Sequence, residues 1–335
     1  MSNRTRAFVC NALNLCIALF LVTPAMAAKA PEAGLQQTLA QLADKARPGV
    51  LGITVVDVDA HTRIRINADR AYPMMSVFKA PVAAAVLAQV DAGRISLKQE
   101  VTITRAEVVD GAAVPSIGAH FSGERMRFTV DQLLTAAVSE SDNTAVDALM
   151  RFIGGPHVVT QFLRRHGING MRVDRGEGDI SRVLEDTANG QTIPAHETDE
   201  AALARQRRGY RAYLADPRDR STPDAAADLL AKLWSGQLLS ANSTRRLLDL
   251  MYGQTIPVRL RAGLPTGVRF ADKCGTSYSL DGETAAYNDI GIITWPTGRT
   301  VIVTAFLTGS KADKKTRDAL FAEIGKDVSA MSGVP

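Results

Sequence analysis

The sequence predicts an α+β fold: an antiparallel sheet built from both chain ends, with flanking helices and an inserted all-α lobe between. Three observations carry this. β-rich runs sit at the two ends, at Gly52–Asp57 and Arg63–Asn67 and again at Arg269–Lys273, Ala285–Trp295 and Thr300–Leu307. Between them the apolar residues recur at helical spacing. The composition, 46% apolar, 22% charged and 5% aromatic over 335 residues, is that of a globular chain with a substantial core. It excludes disorder, collagen-like repeats and a disulfide-held miniprotein.

Residues 1–28 read as an export signal. Arg4 and Arg6 form a positive start, Ala12 to Val22 is apolar, and Ala25-Met26-Ala27 supplies small residues for cleavage near Ala27 or Ala28. The apolar run is short of the roughly 18 residues that a membrane span requires. The expected product is a periplasmic protein with no stable membrane insertion. Loss of Arg4 and Arg6 lowers the net charge from +4 to +2, which gives no argument for nucleic acid as a partner. Of Cys10, Cys16 and Cys274 only the last remains, so no intrachain disulfide can form. The five histidines are scattered without ligand spacing, and neither a metal nor a cofactor is expected.

A helix over about residues 32–46 ends at Pro48-Gly49, and Asp59-Ala60-His61 turns the first hairpin. An Ala-rich helix runs from about Ser76 to Asp91 and stops at Gly93. Helices follow at Thr129–Ser139, Asn143–Phe152, Pro156–His166, Pro223–Ser235 and Asn242–Tyr252, and a last one near Lys311–Ser329. Residues 29–335 then form one domain. Its α/β lobe comprises about 29–70 and 255–335, its helical lobe about 71–254, and a cleft lies where the lobes meet.

Three short motifs bear chemistry. In Ser76-Val77-Phe78-Lys79 a helix starting at the serine puts the lysine one turn on, on the same face, where its amine reaches the hydroxyl. Free N–H groups at such a helix start suit a developing oxyanion. Ser141-Asp142-Asn143 sets a hydroxyl, a carboxylate and an amide in a turn between helices. Lys273-Cys274-Gly275-Thr276 ends a strand with a glycine that admits close backbone approach. Alone, each has a bland explanation: a helix cap with a surface lysine, a polar turn, a strand end.

In this order and spacing the three motifs resemble those of the class A serine β-lactamases and their penicillin-binding relatives. Tyr72-Pro73-Met74-Met75, Arg259–Pro265 and Asn288-Asp289-Ile290-Gly291 also read like segments of that family. The stretches Ser76–Lys79 and Val138–Asn143 look closest to the extended-spectrum branch that contains the PER and VEB types. The resemblance implies a β-lactamase/transpeptidase-like fold and hydrolysis of a small-molecule β-lactam through a serine acyl-enzyme, by a monomer that confers antibiotic resistance. Ser76 is the implied nucleophile, and the base is either Lys79 or Glu177 acting through a water. Ser141 passes a proton to the departing nitrogen, and backbone N–H groups of Ser76 and Thr276 hold the oxyanion. Asn143 contacts the substrate amide, Asp142 braces its loop, and Lys273, Thr276 and Arg259 receive the substrate carboxylate.

Glu177 is the residue that separates the hydrolases from the penicillin-binding proteins. It lies in Arg175-Gly176-Glu177-Gly178-Asp179-Ile180-Ser181, 36 residues after Ser141. An Arg175–Asp219 pair is expected to close its loop. That loop is longer than the family norm by roughly thirty residues, and long loops are usually functional or mobile. The insertion covers about 182–215, with a helix capped by Thr198 whose packed face carries Leu203, Tyr210 and Leu214. Ser181 stands where the family usually has the Asn that helps hold the hydrolytic water, and Cys274 where it has Thr or Ser. Two other readings stay open at this point: a peptidase acting on peptidoglycan stems, and a protein that is acylated by β-lactams and stays so. Ser76→Ala is expected to abolish both turnover of a chromogenic cephalosporin and the covalent adduct in an intact-mass measurement. Residual hydrolysis would remove Ser76 from its role.

Overall fold

Alternation along the last strand decides where the sheet sits. Val301, Val303, Ala305 and Leu307 belong to one apolar cluster, with Leu35, Leu39, Phe321 and Ile324. Ile302 and Phe306 belong to a second, larger cluster that fills the helical lobe. A strand buried on both faces needs a packed layer on each side.

The computed structural model describes residues 25–332, apart from 113 and 257 and the side chains of 25–31 and 332. Helix α1 (Ala25–Lys45) leads into the hairpin β1 (Val50–Asp57) and β2 (Thr62–Ile66). The short strand β3 (Tyr72–Pro73) and a 3-10 turn, Met75–Phe78, precede α2 (Lys79–Asp91). Next come the hairpin β4 (Glu100–Thr104) and β5 (Arg125–Thr129), then α3 (Val130–Val138), α4 (Asn143–Phe152) and α5 (Pro156–Arg165). Helices α6 (Glu177–Leu184) and α7 (Asp199–Ala215) and strand β6 (Arg220–Ser221) lead to α8 (Pro223–Trp234) and α9 (Ala241–Tyr252). The chain ends with β7 (Arg269–Thr276), the small hairpin β8 (Ser279–Leu280) and β9 (Glu283–Thr284), β10 (Tyr287–Thr294), β11 (Thr300–Thr308) and α10 (Lys314–Ser329).

Five strands form one antiparallel sheet in the order β2-β1-β11-β10-β7, so both chain ends supply it. Helices α1 and α10 cover one face, and α8 lies on the other. Thr54 Oγ1 donates to Asp224 Oδ1 at 2.8 Å and Thr304 Oγ1 donates to the Pro223 carbonyl at 2.9 Å, which fixes the start of α8 on the sheet. Helix α2 is apolar all round from Ala80 to Leu87 and runs buried through the helical lobe.

Several elements differ from the sequence expectation, for physical reasons. The α-helix begins at Lys79, not at Ser76, and Ser76 sits in the 3-10 turn before it. Pro81 has no N–H for the Val77 carbonyl, so an α-helical ladder cannot reach back through the serine. Helix α1 starts earlier than residue 32, with residues 25–28 in its first turn; residues 1–24 of the expected export signal lie outside the described residues. Helix α6 replaces an expected irregular stretch around Glu177. Its first free N–H groups are satisfied by Asp147 of α4, and such a cap leaves no local trace in sequence. Thr198 does cap α7, accepting from Ala201 N at 3.2 Å. Its packed face is Arg205, Gly209, Tyr210 and Tyr213, however; Leu203 is exposed and Leu214 half-buried. Among the described residues no helix is long and apolar enough to cross a membrane, and no cluster of three or more His, Cys, Asp or Glu side chains could hold a metal.

Buried Asn288 of β10 joins the sheet to the chain entering the 3-10 turn. Its Nδ2 donates to the Pro73 and Met74 carbonyls at 2.8 and 3.0 Å, and its Oδ1 accepts from Leu307 N at 3.3 Å. Asn288→Leu is expected to destabilise the fold by about 3 kcal/mol, since three buried partners lose their bonds. The check is urea unfolding; an unchanged midpoint would contradict this linkage.

Candidate active site

The turn that carries Ser76 is held in a strained conformation and pressed against the sheet edge. Met75 adopts φ +45°, a left-handed value that a methionine takes only when its surroundings enforce it. The enforcing neighbour is strand β7. A Cβ placed on Gly275 would lie 2.5 Å from the Met74 carbonyl, 3.1 Å from Ser76 N and 3.0 Å from Val77 N. Only glycine allows this approach, which brings the Ser76 N–H beside the strand end that carries Thr276. Ser141 (φ +60°) and Arg259 (φ +70°) share the left-handed backbone, so three segments around the cleft carry strain.

Lys79 stands at the centre and is fully buried. Its Nζ donates to the Ser141 carbonyl at 2.6 Å, to Asn143 Oδ1 at 2.6 Å and lies 3.0 Å from Glu177 Oε1. The two amide carbonyls take its hydrogen bonds, and the Glu177 carboxylate forms an ion pair with it. The Ser141 hydroxyl is 3.4 Å from Lys79 Nζ and 2.9 Å from the Nζ of Lys273. Lys273 is also completely enclosed and donates to the Cys274 carbonyl at 3.0 Å. Burial pulls its ammonium down to about 8, and the charge of Lys79 acts in the same direction.

Glu177 opens α6 and points at the nucleophile: the Ser76 hydroxyl donates to its Oε1 at 3.0 Å. That distance leaves no room for a bridging water. Beneath it lies Asp147, a residue that sequence reasoning missed. Its carboxylate accepts from Glu177 N at 2.7 Å and Gly178 N at 2.9 Å. Burial pushes Asp147 up to about 6, helped by the nearby carboxylate of Glu177. A signal existed: Asp147 is four residues after Asn143 on α4, hence on the same face. A Cβ on Gly176 would sit 2.5 Å from the Asp147 carboxylate, so this loop is packed too tightly for a larger residue. Arg175 Nε meets Asp219 Oδ2 at 2.6 Å and its Nη1 lies 3.0 Å from Asp216 Oδ2. The Asp219 carbonyl accepts from Met74 N at 3.2 Å, tying the loop to the nucleophile strand.

The remaining residues divide. Asp142 accepts from Ala145 N at 2.7 Å and Ile117 N at 2.9 Å, bracing its turn. Asn143, expected to face the substrate, has its Oδ1 on Lys79 and its Nδ2 on the Asp110 carbonyl at 2.9 Å, which leaves one free N–H. Arg259 is buried over the Tyr287 ring at 4.1 Å; it donates to the Gly275 carbonyl at 3.2 Å and to the Thr276 hydroxyl. Thr276 itself is exposed at the cleft. Cys274 is buried, with Gln254 Nε2 3.9 Å from its sulfur, so it faces away from solvent. Ser181 lies one turn beyond Glu177, exposed, and its hydroxyl makes no hydrogen bond among the described residues. It borders a cavity of about 820 Å³, lined also by Asp110, Asp147, Arg151 and Arg182.

This arrangement, one serine hydroxyl against a carboxylate and a second serine hydroxyl between two buried amines, can carry acyl transfer followed by hydrolysis. Comparison with known proteins agrees. The model of the beta-lactamase enzyme family matches residues 34–331. Extended-spectrum beta-lactamase PER-1 of Pseudomonas aeruginosa is 31% identical, over 84% of this chain and 82% of its own. Beta-lactamase VEB-1 of the same organism is 28% identical, over 84% and 85%. Beta-lactamase CTX-M-8 of Citrobacter amalonaticus is 32% identical over 92% of each. Among solved structures, a β-lactamase from Chitinophaga pinensis superposes with a TM-score of 0.76 at 29% identity, covering 89% of this chain and 99% of that one. The class A β-lactamase of the last common ancestor of Gram-negative bacteria gives 0.71 at 34% identity, over 89% and 98%. With its sheet built from both chain ends, its helical lobe and its serine set against the carboxylate of Glu177, the chain belongs to the beta-lactamase enzyme family and has the fold of the class A enzymes.

Proposed function

We propose that the protein is an exported, periplasmic serine β-lactamase in which Glu177 is the base for both halves of the reaction. The observation that carries this is the 3.0 Å contact between Ser76 Oγ and Glu177 Oε1. Lys79 Nζ is turned to the Ser141 carbonyl and Asn143 Oδ1 and has no hydrogen bond to the Ser76 hydroxyl among the described residues, which leaves Glu177 as the group in contact with the nucleophile. Ser76 Oγ attacks the lactam carbonyl and its proton passes to Glu177. The ring C–N bond breaks, and the nitrogen takes the Ser141 hydroxyl proton, replaced from Lys273 at 2.9 Å. Once Ser76 is an ester it no longer donates to Glu177. Glu177 returns the proton it holds to Lys273 by relay, Lys79 taking it as it passes one of its own through the Ser141 hydroxyl. The restored carboxylate then accepts a proton from water, the water oxygen attacks the ester carbonyl, and the C–O bond to Ser76 breaks as Oγ takes that proton from Glu177.

The oxyanion rests on the N–H groups of Ser76 and Thr276. Lys273 and the Thr276 hydroxyl, oriented by Arg259, receive the substrate carboxylate, and the remaining Asn143 N–H meets the acyl-side amide. Ser181, exposed one turn beyond Glu177, offers its hydroxyl to the hydrolytic water. No step calls for a metal or cofactor. The pattern of residues 1–28 supports export.

Two outcomes are expected. Glu177→Gln slows deacylation by at least about a hundredfold, so intact mass after a cephalosporin shows a persistent adduct on Ser76. Unchanged turnover would mean that another group activates the water. Lys273 is charged below its lowered pKa and neutral above it, so kcat/KM is expected to fall on an alkaline limb near pH 8 as carboxylate attraction is lost. Lys273→Arg, which keeps the charge, moves that limb upward. A profile flat to about pH 10 for both proteins would contradict the assignment.

A further inference from the structure

Helix α7 lies in the inserted segment and touches three parts of the site at once. At its centre Arg205 is buried. Its Nη1 donates at 2.6 Å to the carbonyl of Glu185, the residue that caps the C-terminal end of α6, and at 2.6 Å to the Glu185 carboxylate. Its Nε and Nη2 each meet Glu197 at 3.0 Å. A guanidinium on the last carbonyl of a helix satisfies a free acceptor and opposes the negative end of the helix dipole. One turn later, a Cβ on Gly209 would lie 2.2 Å from the Leu184 carbonyl and 2.6 Å from that of Val183. The backbones of α6 and α7 therefore press together with no side chain between.

The same helix reaches the other walls. The Tyr210 hydroxyl donates to the Glu283 carbonyl at 2.8 Å, and Arg207 pairs with Asp281 at 2.7 Å, both on the small hairpin that follows Thr276. The fully buried Tyr213 sets its hydroxyl 2.9 Å from the sulfur of Met75, next to the nucleophile. Helix α6 has only eight residues, and Glu177 is its first. Asp147 holds one end and the Arg205–Gly209 contact holds the other, so a shift of the far end is transmitted to the carboxylate over two turns.

We propose that Arg205 is a positioning residue for deacylation: the inserted helix holds the far end of α6 and so keeps Glu177 in reach of the acyl ester. The inference rests on the hydrolytic reading above. Acylation begins with Ser76 already bonded to Glu177 and buffered by Lys79. Water attack depends on Glu177 alone to place a small molecule, so deacylation is the step that loose positioning slows most.

The test is pre-steady-state kinetics of the full chain with a chromogenic cephalosporin, comparing wild type, Arg205→Ala, Arg205→Lys and Gly209→Ala. Burst amplitude counts competent sites, so a partly misfolded preparation is corrected for. Arg205→Ala and Gly209→Ala are expected to lower the deacylation rate per site about tenfold or more, with the burst rate within about threefold, a lower KM and a visible adduct by mass. Arg205→Lys restores part of the loss. Equal proportional loss of burst rate and deacylation, or none in either, overturns the positioning role. A wild-type protein that shows no turnover, with or without a lasting adduct, overturns the hydrolytic reading itself, whereas the positioning role is judged only on a wild type that turns over.

Discussion

The buried ammonium of Lys79 is the joint on which the site depends. Two chain segments far apart in sequence meet on its nitrogen: the turn Ser141-Asp142-Asn143 that opens α4 and the start of α6 at Glu177. A charge removed from water is stable only when its hydrogens are satisfied, and a lone buried ion costs several kcal/mol. The fold therefore has to bring those acceptors in, and in doing so it sets Ser141 and Glu177 on one amine, with Glu177 in contact with Ser76. Binding energy that looks structural is thus the source of catalytic geometry.

Packing does the rest at the sheet edge. Gly275 lets β7 slide under the nucleophile turn, and Asn288 of β10 anchors the chain just before it. The left-handed values at Met75, Ser141 and Arg259 are the strain left by that closeness. They are held in place by the two apolar clusters, one on each face of the sheet. Lys273, enclosed at the same edge, is lowered to about 8 because its amine does not meet water.

Much of this was legible in the sequence, where the determinants are local. Helix α4 carries its own cap, Asp142, and α8 has Thr222 followed by Pro223, so both were placed within a residue. Strands β10 and β11 announced themselves by β-branched runs. The residues that converge on Lys79 were legible as short motifs, though not their distances. What stayed hidden depends on partners remote in sequence. Helix α6 is capped from α4 by Asp147, and no window around Glu177 contains that signal. Pro81 displaced the start of α2 by three residues because a missing N–H acts one turn back. Arg205 carries no local signal that separates it from Arg207, Arg208 and Arg211, and only the folded α6–α7 contact buries it.

The claim that ties the fold to the chemistry is that a β-lactam passes transiently through an ester on Ser76. Rapid quenching of the wild-type protein during one turnover, followed by tryptic mapping, measures it directly. An adduct confined to the peptide Ala71–Lys79, rising first and then decaying at the rate of steady-state turnover, is the expected result. Product formation with no adduct on that peptide, or an adduct that outlives turnover, would contradict it.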